Sequence, residues 1–235
     1  MTTISQVRQA IQPLLQRNPD LALAGREIII RPVHHILRGI CIDRSLDADL
    51  FVPTWFVMSM FTPNDSITFG WGDRIYRPTP GRWNINDPQA SPLMCDEIER
   101  LALPRLRRVQ TIDDLIKFAS RRRFKNFCLD LDESRKIYFD IARGDFQSAR
   151  KLCALIAGIA KTTNVNWMRE DYGKIAKTLG PLLAANDRAG LAQALRDCEA
   201  YSAKKLKLER LWEPTPFPLE LQAVKRRRST GVRRR

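Results

Sequence analysis

Apolar residues change their spacing along this chain, and that change restricts what it can fold into. Up to residue 72 they come in short β-branched and aromatic runs. From Met94 onward they recur every three or four residues, almost to the C-terminal end. A chain that keeps its strands apart from most of its helices reads as α+β, not as an alternating α/β fold. The early runs are Glu27–Arg31, Val33–Asp43 and Val52–Phe61. A fourth stretch follows, in which Ile67, Phe69 and Trp71 alternate with Ser66, Thr68 and Gly70. Thr62-Pro63-Asn64-Asp65 has turn chemistry, and connections this short favour antiparallel pairing. These features predict a mostly antiparallel four-stranded sheet over residues 26–72, with Ile67, Phe69 and Trp71 on one buried face.

Helices flank the sheet. Residues 3–17 carry Ile4, Val7, Ile11, Leu14 and Leu15 at helical spacing, and Pro13 predicts a kink or an early end. Cys95–Ala102 reads as a helix that breaks or kinks at Pro104. Thr111, with Asp114 three residues on, reads as a helix start. Asp145 and Asp187 read as N-caps of two later helices, the second carrying Leu191, Leu195 and Cys198. At an offset of 43 residues, Ala142, Ala149 and Leu152 fall on Ala185, Ala192 and Leu195. That match is compatible with stacked helical hairpins, although a plain bundle is the simpler reading. Pro214, Pro216 and Pro218 end the last helix near Leu211. The organisation expected is an α+β domain over 1–123, a helical region over 124–211, and a Pro-containing linker with a disordered basic tail over 212–235.

Charge is the second constraint. The chain carries +14, and half of it lies in the last eleven residues: Lys225, Arg226, Arg227, Arg228, Arg233, Arg234 and Arg235. So dense a run cannot enter a core and must face water or an anion. Arg105, Arg107 and Arg108 form one internal basic cluster; Arg121, Arg122, Arg123 and Lys125 form another. Basic groups near aromatic rings suit nucleic-acid backbones and bases, although solvated helix ends are the simpler reading of the internal clusters. Residues 73–92, with Pro78, Pro80, Gly81, Pro88 and Pro92, form a long loop of the kind that often carries function. Trp83 lies on it and is the residue predicted to touch a partner.

Other chemistry is sparse. The five cysteines are scattered, with no Cys-x-x-Cys pair, and read as buried free thiols in a cytoplasmic protein. No apolar run approaches the ~20 residues needed to span a bilayer, so no membrane partner is expected. There is no phosphate loop, Gly-x-Ser-x-Gly or His-Glu-x-x-His, and hence no expected cofactor. His34 and His35 are adjacent on a predicted strand and point to opposite faces, so they cannot share a metal in regular geometry. Asp43, Asp47 and Asp49, and Asp130, Asp132 and Glu133, lack the spacing of a calcium loop and read as turn and capping residues. No catalytic or metal-binding residues are expected, and the chain is not expected to be an enzyme.

Arg31-Pro32-Val33-His34-His35-Ile36-Leu37-Arg38-Gly39, then Val52-Pro53-Thr54-Trp55-Phe56-Val57, then Leu103-Pro104-Arg105-Leu106, resemble a loose group of uncharacterised bacterial α+β proteins. The resemblance covers about residues 27–118. Phe69-Gly70-Trp71-Gly72 departs from the group's Phe-x-x-Gly element. Some members look similar to immunity proteins, which bind and neutralise a toxin. The resemblance implies a non-catalytic bacterial binding module, adaptor-like or immunity-like, with a protein partner and no catalytic residues. The alternative is a nucleic-acid-binding protein that uses the tail and the internal arginines.

Overall fold

The computed structural model describes residues 3–121 and 132–221. They form two compact units. The first holds residues 3–60, 65–118 and 203–213. The second holds residues 61–64, 119–121, 132–202 and 214–221. Among the described residues no helix is long and apolar enough to cross a membrane.

The first unit is built on an antiparallel sheet of β1 (Leu21–Ala24), β2 (Glu27–Ile30), β3 (Ile36–Arg44), β4 (Leu50–Ser59), β5 (Gly72–Arg74) and β6 (Trp83–Asn84). The order is β1-β2-β3-β4-β5, and β6 also pairs with β4. The α+β class and the antiparallel pairing agree with the sequence reading, but the count of four strands does not. β1 is Leu-Ala-Leu-Ala, with no β-branched residue to mark it, and β6 is two residues long within the predicted loop.

The alternating stretch at 66–70 is not a strand. β4 pairs with β5 at Thr54, Trp55 and Phe56, and Val57 N–H donates to the Trp71 carbonyl at 3.0 Å. Phe69 is 38% exposed, Ile67 is half-buried and Trp71 is buried, so the three do not share one buried face. Phe69 instead sets its ring edge-on to Phe56, with centroids 5.8 Å apart. Alternation marks residues that find apolar neighbours, but it does not supply a partner strand.

Both faces of the sheet are apolar because β3 and β4 alternate between two sets of core residues. On one face Ile29, Leu37, Cys41, Phe56 and Met58 pack with Ala203 and Leu208, and Leu211 and Trp212 lie against them. Gly39 permits this packing, because a Cβ there would lie 3.0 Å from the Phe56 ring and 2.7 Å from the Ile28 carbonyl. On the other face Trp55 meets Phe118 edge-on at 5.9 Å. The C-terminal stretch is tied to the sheet by its backbone: Val33 N–H donates to Leu211 O at 3.0 Å, and Glu213 N–H to Val33 O at 2.8 Å.

Local chemistry sets the helix ends. α1 (Ile4–Arg17) starts at Thr3, whose hydroxyl accepts from Gln6 N–H while the Gln6 side chain accepts from Thr3 N–H. It runs past Pro13 to Arg17, not ending early. α2 (Ala90–Glu97) continues through a π turn at Ile98–Ala102 into α3 (Leu103–Arg107). Leu103 N–H donates to Ile98 O, five residues back. This wider register falls just before Pro104, whose ring and missing N–H do not fit a tight ladder. The chain therefore stays helical through Pro104. α4 (Ile112–Ala119) starts as the sequence predicts, with Asp114 N–H donating to Thr111 Oγ1 at 3.1 Å and Thr111 N–H to Asp114 Oδ2 at 3.0 Å.

The second unit contains α5 (Glu133–Arg143), α6 (Phe146–Thr162), α7 (Asn166–Ala184) and the body of α8 (Arg188–Lys205). Two of its turns are built alike. Gly144 (φ 81°) and Asn186 (φ 56°) adopt the left-handed conformation, and each is followed by an Asp that caps the next helix. Asp145 N–H donates to Asp140 O and Asp187 N–H to Leu182 O. The turns therefore repeat at 42 residues, not 43, because turn geometry repeats here and the small apolar residues merely fall near it. The core of this unit includes Phe61, whose ring meets Phe139 at 4.8 Å and Phe217 at 5.9 Å. Residues 214–221 are held along α8: Arg188 donates to Leu219 O at 3.2 Å, and Arg196 reaches both oxygens of Glu220 at 2.9 Å.

α8 ends at Lys205, not near Leu211. Leu208 N–H donates back to Ala203 O at 2.8 Å, with Lys207 between them at φ 58°. This is a left-handed helix stop carried by a lysine where glycine is the usual occupant. Lys207→Gly is expected to raise stability by about 0.5–1 kcal/mol. A urea midpoint at or below wild type would refute the assignment.

Candidate functional site

The two most exposed large apolar residues named in the described chain are Leu46, fully exposed, and Tyr76, 70% exposed. The topology brings them to the same end of the sheet. Leu46 lies in the turn joining β3 to β4. Tyr76 follows β5, where Ile75 N–H donates to Pro53 O at 2.7 Å. β6 lies beside the start of β4, with Leu50 opposite Asn84 and Phe51 opposite Trp83, and Ile85 N–H donates to Asp49 O at 2.8 Å.

The loop that carries Tyr76 is pinned. The Trp83 ring stacks on Phe51 at 6.2 Å and 24°, and its indole N–H donates to Ile75 O at 2.8 Å. Arg77 pairs with Asp87 at 2.7 Å and donates through Nε to Thr79 Oγ1 at 2.9 Å. Donation from Gln89 N–H, and then from Arg77, holds the Asp87 carboxyl below its usual range. Pro78 and Pro80 remove further backbone freedom. The result is an outward tyrosine on a constrained loop, with Arg74 and Arg82 exposed nearby. Such a ring loses little conformational entropy when a partner covers it.

Trp83, the residue predicted to touch a partner, is 4% exposed and lies behind this surface. A buried indole needs an acceptor, and the chain supplies one by folding the loop back to Ile75. Trp83 anchors the surface and Tyr76 presents it. The only sequence signal for Tyr76 was its position between two arginines, ahead of two prolines.

The basic residues are divided. Arg107 is taken up internally: its Nε and Nη2 fork onto Asp20 at 2.9 and 2.7 Å, and Nη2 also reaches Asn18. Asn18 in turn donates to Glu99, whose carboxyl is held low by Arg17. Arg105, Arg108 and Arg121 are exposed. Arg122, Arg123, Lys225, Arg226, Arg227, Arg228, Arg233, Arg234 and Arg235 lie outside the described residues, as do Lys125, Cys128 and Asp130.

The remaining candidates have structural placements. His34 and His35 are half-buried in the link before β3, not on the strand. His34 Nδ1 is 2.9 Å from Glu213 O, and since a carbonyl can only accept, that nitrogen carries the proton. Asp132 caps α5 by accepting from Arg135 N–H at 2.9 Å. Asp47 accepts from Asp49 N–H within its turn. Burial pushes the Cys41 and Cys198 thiols up to about 12 and Cys95 up to about 11, so these three are poor nucleophiles near neutral pH.

No family model, curated protein or solved structure matches this chain. The functional reading therefore rests on the residues themselves.

Proposed function

We propose that this chain is a non-catalytic bacterial binding module, adaptor-like or immunity-like, acting through protein–protein contact at the Leu46–Tyr76 end of its sheet. The observation that carries the reading is Tyr76, 70% exposed on a loop fastened by the Trp83 indole and the Arg77–Asp87 pair. A ring kept in water on so constrained a loop contributes little to folding. Its placement suits the role of an aromatic anchor for a partner.

The test is affinity capture from the source cell with and without nuclease, using wild type, Tyr76→Ala and Leu46→Ser. A protein partner retained after nuclease treatment, and lost about tenfold or more in the Tyr76→Ala variant, supports the reading. Both variants should melt as wild type does, because neither side chain is in the core. Equal retention by all three proteins would remove this surface from the contact. The second reading, nucleic-acid binding, is favoured by the +14 charge and by exposed Arg105, Arg108 and Arg121. It predicts that nuclease removes what is captured.

A further inference from the structure

α7 carries exposed charges in two blocks, of which Asp171 and Lys174 also lie within electrostatic reach of Tyr138 and Cys198 in the same unit. Glu170 and Asp171 come first, and Lys174 and Lys177 follow; all four are exposed. Their spacing would suit ion pairs along one helix. Among the described residues, however, no ion pair takes up any of them. Trp167, one turn before the acidic block, is 59% exposed, its ring held edge-on to Tyr172 at 6.4 Å.

We propose that α7 is the seam of a two-fold homodimer, with the α7 of a second copy lying antiparallel against it. The charge order selects this occupant. A parallel copy in register would set like charges together. An antiparallel copy centred between Tyr172 and Gly173 sets Asp171 of one copy opposite Lys174 of the other, with Glu170 and Lys177 in the flanking turns. A closed two-fold contact is self-complementary in this way. Trp167 of each copy packs over the C-terminal half of the facing helix. At about 1.5 Å per residue the helix offers a seam of roughly 28 Å. One helix laid against another is a small contact, which suits a reversible dimer and not an obligate one.

The experiment is sedimentation equilibrium of the full chain from about 1 to 300 µM, with two charge variants. One is Glu170→Lys with Asp171→Lys, which makes the face wholly basic. The other is Lys174→Glu with Lys177→Glu, which makes it wholly acidic. Wild type is expected to dimerise, each variant alone to associate at least about tenfold more weakly, and their equimolar mixture to recover association. Trp167→Ala is expected to weaken the wild-type dimer. If either double variant loses helix content, Asp171→Lys and Lys174→Asp perform the same mixing test. A wild type that is monomeric throughout overturns the proposal. So does a dimer indifferent to the charge variants, or a mixture that stays monomeric.

Discussion

Trp83→Ala is expected to cost about 3–5 kcal/mol of folding stability, among the largest effects of any single change in the first unit. Three losses combine. The ring leaves its stack on Phe51 and a cavity opens in a site that is 4% exposed. The Ile75 carbonyl loses the indole donor that meets it at 2.8 Å. The short pairing of β6 with β4 loses its main side-chain support. Trp83→Phe separates these contributions, because it keeps most of the packing and removes only the donor. It is expected to cost about 1–2 kcal/mol. Urea unfolding of both variants beside Tyr76→Ala makes the measurement. Tyr76→Ala should stay within about 0.5 kcal/mol of wild type. A Trp83→Ala protein with a wild-type midpoint would mean that the loop is not anchored as described. The case for Tyr76 as a presented ring would then fall with it.

The contrast between these two aromatic residues shows what the sequence could reveal. Helix starts were legible wherever the chemistry is local. Thr111 with Asp114, Asp145 and Asp187 all cap as read, because a cap needs only residues two or three positions apart. β2, β3 and β4 were legible because β-branched runs are. Long-range closure was not. β6 exists because Trp83 finds Phe51, thirty-two residues earlier, and no spacing rule encodes that meeting. Pro104 read as a break, yet a π turn absorbs it. Phe69 read as core from its alternation, but the sheet edge ends before reaching it. The surface was least legible. A ring on a loop is buried or presented according to whether an acceptor and a neighbouring ring are at hand, and only the folded chain shows that.

The other large effect separates the two readings of function through the basic residues. Lys225–Arg235 carries seven positive charges and no acid. If the chain binds duplex nucleic acid with about four to six phosphate contacts from this segment, log affinity should fall against log salt with a slope of about −4 to −5. Between 50 and 200 mM salt that amounts to a loss of about 10²–10³ in affinity. Deleting residues 225–235 should flatten most of the slope and weaken all sequences alike, because phosphate contacts position a protein without reading bases. A module that binds through Tyr76 behaves differently. It keeps its partner after the deletion and loses mainly association rate at low salt. Salt titrations of full-length and truncated protein, against random duplex and single strands, distinguish the two. Undetectable binding at about 50 mM salt sinks the nucleic-acid reading. A truncated protein that keeps the full slope moves the contact to the internal arginines, of which Arg107 is already committed to Asp20.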